Sequence, residues 1–286
     1  MSLRDKNGLT EAEFLASYRV EEYPRPSVAC DMVVFTIAQG EAASYRRLPE
    51  PELQVLLIQR GGHPCLGSWA LPGGFVRPGE TVGQAAAREL REEAGLSGVY
   101  LEQLGVFSAP GRDPRTWGMS CAHLALVDGE KLALQAGDDA DNAAWFSLSC
   151  PPEEERLSLS LTKGEERLSA KILFPGEPLL AGPESARLED NQGLAFDHGL
   201  ILGCALRRLR QEVEAGLSPL PFHLLPEEFT LTQLQQVYEV ILGRPLLKAA
   251  FRRKIAPLVE ETGRFAERAG HRPARLYQRR QEEQTK

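Results

Sequence analysis

The chain has 286 residues, 42% of them hydrophobic and 26% charged, which suits one or two globular domains with a buried core. No run approaches the roughly 18 apolar residues of a membrane span, and the mixed-charge start MSLRDKNGLTEAEF lacks the apolar stretch of a signal peptide. Five scattered cysteines (Cys30, Cys65, Cys121, Cys150 and Cys204) without a C-x-x-C pair argue against a disulfide frame or zinc site and for a reducing cytoplasm.

In chain order, residues 1–24 are polar and read as a tail or short helix. Val28–Ala38 and Leu53–Arg60 read as strands, joined by a loop over Gln39–Glu52. Gly61–Pro72 reads as a loop. Thr81–Ala94 has a helical pattern, opened by Thr81 and Gln84 as a capping box and closed by Gly95. Strands are expected at Gly105–Ser108, Met119–Val127 and Ala143–Phe146, then a hairpin from Arg156–Thr162 and Leu168–Phe174. Leu194–Val213 has helical periodicity, and the proline-rich Gly216–Pro226 is the expected domain boundary. Thr232-Gln233-Leu234-Gln235 reads as another capping box, opening a helix that ends at Gly243. A second helix follows over Leu246–Ile255, and Gly263–Arg268 with His271–Gln278 reads as a two-stranded wing.

The net charge of −7 is unevenly placed. Residues 243–280 hold eleven arginines and lysines against three glutamates, +8, so the rest of the chain is acidic. Such a division suggests two parts with different partners.

The chemistry is densest in Gly74–Leu96, GFVRPGETVGQAAARELREEAGL. Glu89, Glu92 and Glu93 stand at i, i+3 and i+4 and share a helical face. Alone they repel one another; a hard divalent cation turns that repulsion into binding and lets an anionic diphosphate approach. Arg88 adjoins them and can orient a carboxylate. Gly73 and Gly74 allow a tight backbone path beside the site. Gly74, Glu80, Arg88, Glu89, Leu90, Glu92, Glu93, Gly95 and Leu96 fall at every fixed position of G-x5-E-x7-R-E-U-x-E-E-x-G-U, where U is bulky and aliphatic. A chance match is on the order of one in a billion per window. The segment therefore resembles the Nudix box. That resemblance makes Glu89, Glu92, Glu93 and Arg88 the catalytic candidates. Glu89, Glu92, Glu93 and Gly73 become the metal set, for Mg²⁺ or Mn²⁺, with Gly74, Glu80 and Gly95 in structural roles.

Gly111-Arg112-Asp113-Pro114-Arg115 resembles a run in Nudix enzymes that cleave ADP-ribose, which makes Arg112 and Arg115 candidate substrate contacts. The stretch Gly137–Ala140 before Trp145-Phe146 resembles the same branch. The residues do not separate Asp138, Asp139 and Asp141; Asp139 stands as the candidate. In the C-terminal part, helix, glycine turn and basic helix form a helix-turn-helix pattern, with Lys248, Arg252, Arg253, Lys254, His271 and Arg272 as candidate DNA contacts.

The order of these parts, with FTLTQLQQVYEVILGRPLLKAAFRRKI, HRPARLY and AFDHGLILGCALRRLR, resembles the Nudix-related transcriptional regulators of NAD metabolism over residues 25 to 278. The resemblance implies an α+β protein, a Nudix α/β/α sandwich with a mixed sheet over 25–218 and a winged helix-turn-helix over 219–286. It also implies a homodimer that binds a double-stranded DNA operator and senses ADP-ribose, with hydrolysis retained because the box is complete. Two alternatives remain open: an enzyme for ADP-ribose or another nucleoside diphosphate derivative whose C-terminal domain only dimerises it or shapes its cleft, and a sensor without turnover.

Overall fold

The computed structural model describes residues 3–39, 50–129, 143–153, 155–176, 185–216, 218–266 and 273–280. Its centre is a ten-stranded mixed sheet. Strand β1 (Ser27–Gln39) runs through the middle, antiparallel to β2 (Pro51–Gln59) and parallel to β6 (Gly118–Val127). Its run Met32–Phe35 is wholly buried, as expected for a strand covered on both faces. Outward on one side β6 pairs with β5 (Tyr100–Phe107). On the other, β2 leads through β7 (Ala143–Ser149), β8 (Arg156–Lys163) and β9 (Glu166–Leu173) to the edge strand β10 (Arg187–Gln192). Two short strands, β3 (Trp69–Ala70) and β4 (Gly73–Phe75), pair with β2 and β1.

Helix α1 (Glu11–Ser17) precedes the sheet and buries none of its residues. Helix α2 (Val82–Ala94) covers one face, where Ala85, Ala86 and Leu90 meet Cys30, Met32, Val34 and Ala125. Helix α3 (His198–Ala215) covers the other, placing Ile201, Leu202, Leu206 and Leu209 against Val33, Phe35, Phe146 and Ile172. Sheet between α2 and α3 is the expected sandwich.

The second apolar cluster continues into the C-terminal part without a break. It takes in Leu220, Phe222 and Leu224 of a 3-10 turn (Leu220–Leu224), then Val237 and Ile241 of α4 (Leu231–Leu242), Phe251 of α5 (Lys248–Ile255) and Val259. A hairpin of β11 (Val259–Ala266) and β12 (Ala274–Arg279) completes the winged helix.

Many sequence expectations hold within a residue or two; the wing's first strand starts four residues earlier than expected, at Val259, the expected loop Gly61–Pro72 contains β3, and the shifts at the helix starts have physical causes. The α3 helix starts at His198, not Leu194, because Leu194 bridges Trp69 and Phe196 turns the chain with φ of 49°. The cap of α4 is Thr230, not Thr232. Thr230 Oγ1 accepts from the Gln233 N–H at 3.2 Å, and Gln233 Oε1 accepts from the Thr230 N–H at 2.8 Å. The second helix begins at Lys248 because the Leu246 N–H is held by Glu239 Oε1 at 2.8 Å. The strand expected at Gly105–Ser108 starts five residues earlier, at Tyr100. Residues 40–49 and 177–184 lie outside the described residues.

Candidate functional site

Thr81 caps α2 with Gln84 as its box partner, and Gly95 closes it at φ of 65°, a left-handed turn that favours glycine. Within that frame Arg88 gathers the acids of the box. Its guanidinium is bidentate to Glu80, at 2.7 and 3.1 Å, and meets Glu89 at 2.5 Å and Glu92 at 3.2 Å. These bonds, with one from the Arg77 N–H, hold the Glu80 carboxyl down at about 2. Glu93, one turn on from Glu89, is not among the Arg88 partners and accepts instead from the Gly73 N–H at 2.8 Å. Burial pushes its carboxyl up to about 7; the Glu89 and Asp31 charges add to that rise, and the Gly73 bond opposes it.

Gly73 is sterically required, because a Cβ there would meet the Cys30 carbonyl, and a Cβ on Gly74 would displace the Glu89 carboxylate. A Cβ on Gly74 would sit 2.5 Å from the Glu89 carboxyl carbon, and one on Gly73 would sit 2.8 Å from Asp31 Oδ1.

Nudix hydrolases work with divalent metals, and the donor set fits one in kind: hard carboxylate oxygens, mutually repelling, on one helix face. Glu89 and Glu93 are the donors drawn inward. Among the described residues, however, no three His, Cys, Asp or Glu side chains are arranged to hold a metal ion. Arg88 supplies the counter-charge for Glu89 and Glu92, while Glu93 is turned to the backbone.

Gly73 and Gly74 also form one wall of a cavity of about 200 Å³. Arg112 lies in its opposite wall. Arg112, a candidate ligand contact, lines this cavity and also has an internal partner: Nε and Nη2 bind the two oxygens of Asp197 at 2.9 and 2.7 Å, with Asp31 at 3.5 Å. Next to it His198 Nδ1 accepts from the Leu71 N–H at 2.8 Å, and Nε2 faces Asp31 at 3.7 Å. Burial holds this imidazole below its usual value, so it stands neutral. Arg115 is 44% exposed and pairs with Asp113 at 2.7 Å. Its guanidinium lies over Phe75 and Phe196, which also carries Arg60 at 4.9 Å. Asp139 lies outside the described residues, as do Asp138 and Asp141.

The residues that sequence reasoning missed are Asp31, Arg60, Phe75, Phe196, Asp197 and His198. The one available signal was Phe196-Asp197-His198, inside a segment noted for its resemblance but given no role.

In the winged helix, Lys248, Arg252 and Arg253 are exposed on α5 and make no ion pair with any described residue. Arg252 reaches a groove of about 510 Å³ that Thr232, Phe265 and Arg275 also line. Lys254 is used differently: its ammonium donates to the carbonyls of Val213 and Glu214 at 3.4 and 2.9 Å. His271 and Arg272 are outside the described residues.

An α/β/α sandwich carrying this box, continued into a winged helix, defines a Nudix-domain protein with a DNA-binding module. Residues 42–163 match the NUDIX domain, and residues 221–278 match the NrtR DNA-binding winged helix domain. The chain is 35% identical, over 97% of its length and 91% of the relative's, to the ADPR responsive transcriptional repressor NtrR of Acinetobacter baylyi. It is 40% identical to an ADP-ribose pyrophosphatase of Methanocaldococcus jannaschii, over 49% of this chain and 71% of that protein. Its fold matches Shewanella oneidensis NrtR complexed with a 27mer DNA at a TM-score of 0.61 and 30% identity, covering 88% of this chain and 93% of the other. The chain belongs to the NrtR family of Nudix-related transcriptional regulators.

Proposed function

We propose that this protein is an ADP-ribose-responsive transcriptional repressor of NAD-related metabolism whose Nudix domain, residues 25–218, also hydrolyses ADP-ribose with Mg²⁺ or Mn²⁺. Residues 219–286 bind the operator, two copies act as a dimer in the cytoplasm, and near-palindromic half-sites match the two-fold axis. No helix among the described residues is long and apolar enough to cross a membrane. The observation that carries the reading is the shared wall. Gly73 and Gly74 touch the box carboxylates and also line the cavity of Arg112, Arg115 and His198, so a diphosphate in that cavity lies beside the acids.

In this reading Glu89, Glu92 and Glu93 hold the ion, which when bound neutralises phosphoryl charge and activates water. Arg88 orders the carboxylates, Glu80 and Gly95 fix the helix, and Gly73 and Gly74 let the diphosphate approach. Arg112, Arg115 and Asp139 contact the ligand, Arg112 being held in place by Asp197. Lys248, Arg252, Arg253, His271 and Arg272 face DNA, whereas Lys254 serves the domain seam.

The test combines two assays on the purified protein. ADP-ribose and Mg²⁺ should give AMP and ribose 5-phosphate. DNA from upstream of the chain's own gene should be bound, and released or retained according to ADP-ribose. Absence of turnover with any divalent metal leaves a sensor; absence of sequence-selective DNA binding leaves an enzyme.

A further inference from the structure

Helix α3 has one end in the ligand cavity and the other in the winged helix. At its start Asp197 takes the Arg112 fork, and Phe196 and His198 line the cavity. It then runs 18 residues, about 27 Å, buried along the sheet. In its second half Arg210 reaches across to two structures at once. Nε donates to the Ile241 carbonyl at 2.9 Å, in the last turn of α4, and Nη2 donates to the Cys150 carbonyl at 2.6 Å, just past β7. Further on, Lys254 of α5 donates to the last carbonyls of α3. Both helices of the DNA-binding unit are therefore tied by charged donors to the helix whose first residues face the ligand.

The arrangement at Arg210 suits a coupling device better than a simple staple. Ile241 belongs to the C-terminal turn of α4, whose carbonyls lack intrahelical donors and carry partial negative charge. A guanidinium there satisfies one of them and favours one orientation of α4. The same side chain faces a cavity of about 580 Å³ between the end of β7, α3 and α4, so the seam it bridges is not fully filled. A planar fork fixes two carbonyls in one geometry, which an ammonium cannot do.

Resting on the proposed ADP-ribose and operator reading, we infer that Arg210 is the positioning residue through which α3 couples the ligand cavity to the winged helix. Phe196 and His198, with Asp197 holding the cavity residue Arg112, form the sensing end of the helix, and Arg210 is the reporting end. Coupling of this kind is a ratio of affinities and is reciprocal, so it is measurable apart from either affinity alone.

The experiment measures the affinity of the full chain for its upstream DNA with and without saturating ADP-ribose, in wild type, Arg210→Met and Arg210→Lys. In the wild type the ligand should change DNA affinity by about 5–150-fold. Arg210→Met should compress that ratio to within about twofold, with ADP-ribose affinity in the absence of DNA unchanged. Arg210→Lys, which keeps the charge but serves one carbonyl at a time, should fall between them, and it carries the test if the Met variant does not fold. A folded variant with the full wild-type ratio overturns the inference, even where its DNA affinity drops equally in both states. A wild type whose DNA binding ignores ADP-ribose overturns the functional reading itself, and this inference with it.

Discussion

Arg88 and Arg112 are enclosed to nearly the same degree, with 11% and 6% of their side chains exposed, yet they recruit their carboxylates from opposite distances along the chain. Arg88 binds Glu80, Glu89 and Glu92, all within eight residues. Arg112 binds Asp197, 85 residues away, and Asp31 on the central strand. The first cluster is built by one helix and the turn before it, and Glu92 at its rim is 43% exposed, so water can take over a lost partner. The second exists only when sheet, loop and α3 have come together, and neither of its acids is as exposed as Glu92. A local cluster of charge can be devoted to chemistry, because breaking it leaves the fold standing. A long-range buried cluster is part of the fold, and whatever function it has is exerted through position.

The largest expected effect tests the local side. Glu93→Gln should lower ADP-ribose hydrolysis by at least about two orders of magnitude, since a metal-polarised reaction loses several kcal/mol of charge stabilisation. Its circular dichroism and urea midpoint should stay near wild type. Undiminished turnover in that variant would take the box out of catalysis.

The next separates the two arginines directly. Arg112→Ala leaves Asp197 and Asp31 buried without their counter-charge, a change that costs about 3–5 kcal/mol, read as a lower urea midpoint. Arg88→Ala should cost clearly less stability while impairing hydrolysis more. Equal losses of stability in the two variants would erase the contrast.

A smaller effect is expected where the local cluster meets the backbone. Gly74→Ala puts a methyl group against the Glu89 carboxyl, an overpacking that costs about 1–3 kcal/mol. Hydrolysis should fall further than stability, because the displaced group is a proposed metal donor. A variant with wild-type turnover would mean that the backbone need not approach this closely.

The smallest concerns acid. The folded-state carboxyl of Glu80 titrates at about 2 against an ordinary 4.5, so its contribution to stability is complete above 4.5 and is lost as pH falls toward 2. Unfolding of Glu80→Gln should show a shallower decline over that window than wild type. Identical acid limbs would assign the decline to other carboxylates.

Legibility followed the same division. The box helix could be read with both caps, because Thr81, Gln84 and Gly95 act within one turn of it. The cap of α4 was misplaced because Thr230-Leu231-Thr232-Gln233 offers two threonines. The choice is made by Phe229, whose N–H and carbonyl pair with Tyr277 of the wing at 2.9 and 2.8 Å, so the chain is extended up to the first of them. Strand β10, RLEDNQ, carries almost no apolar alternation and forms as an edge against β9. Leu194–Phe196 has helical hydrophobicity, but Trp69 claims it: the Ala195 N–H donates to the Trp69 carbonyl at 2.8 Å.

The sequence alone determined the box helix, its carboxylate spacing and the succession of an acidic sandwich and a basic winged helix. Each of these rests on spacing within a single element, where a period of 3.6 or 2 maps position directly onto a face. Only the tertiary structure decided that Arg112 belongs to Asp197, that Lys254 belongs to the end of α3, and that Arg210 joins Cys150 to Ile241. These pairings span 31 to 85 residues, where no local period operates, and a charged side chain takes whichever partner the packed core leaves within reach.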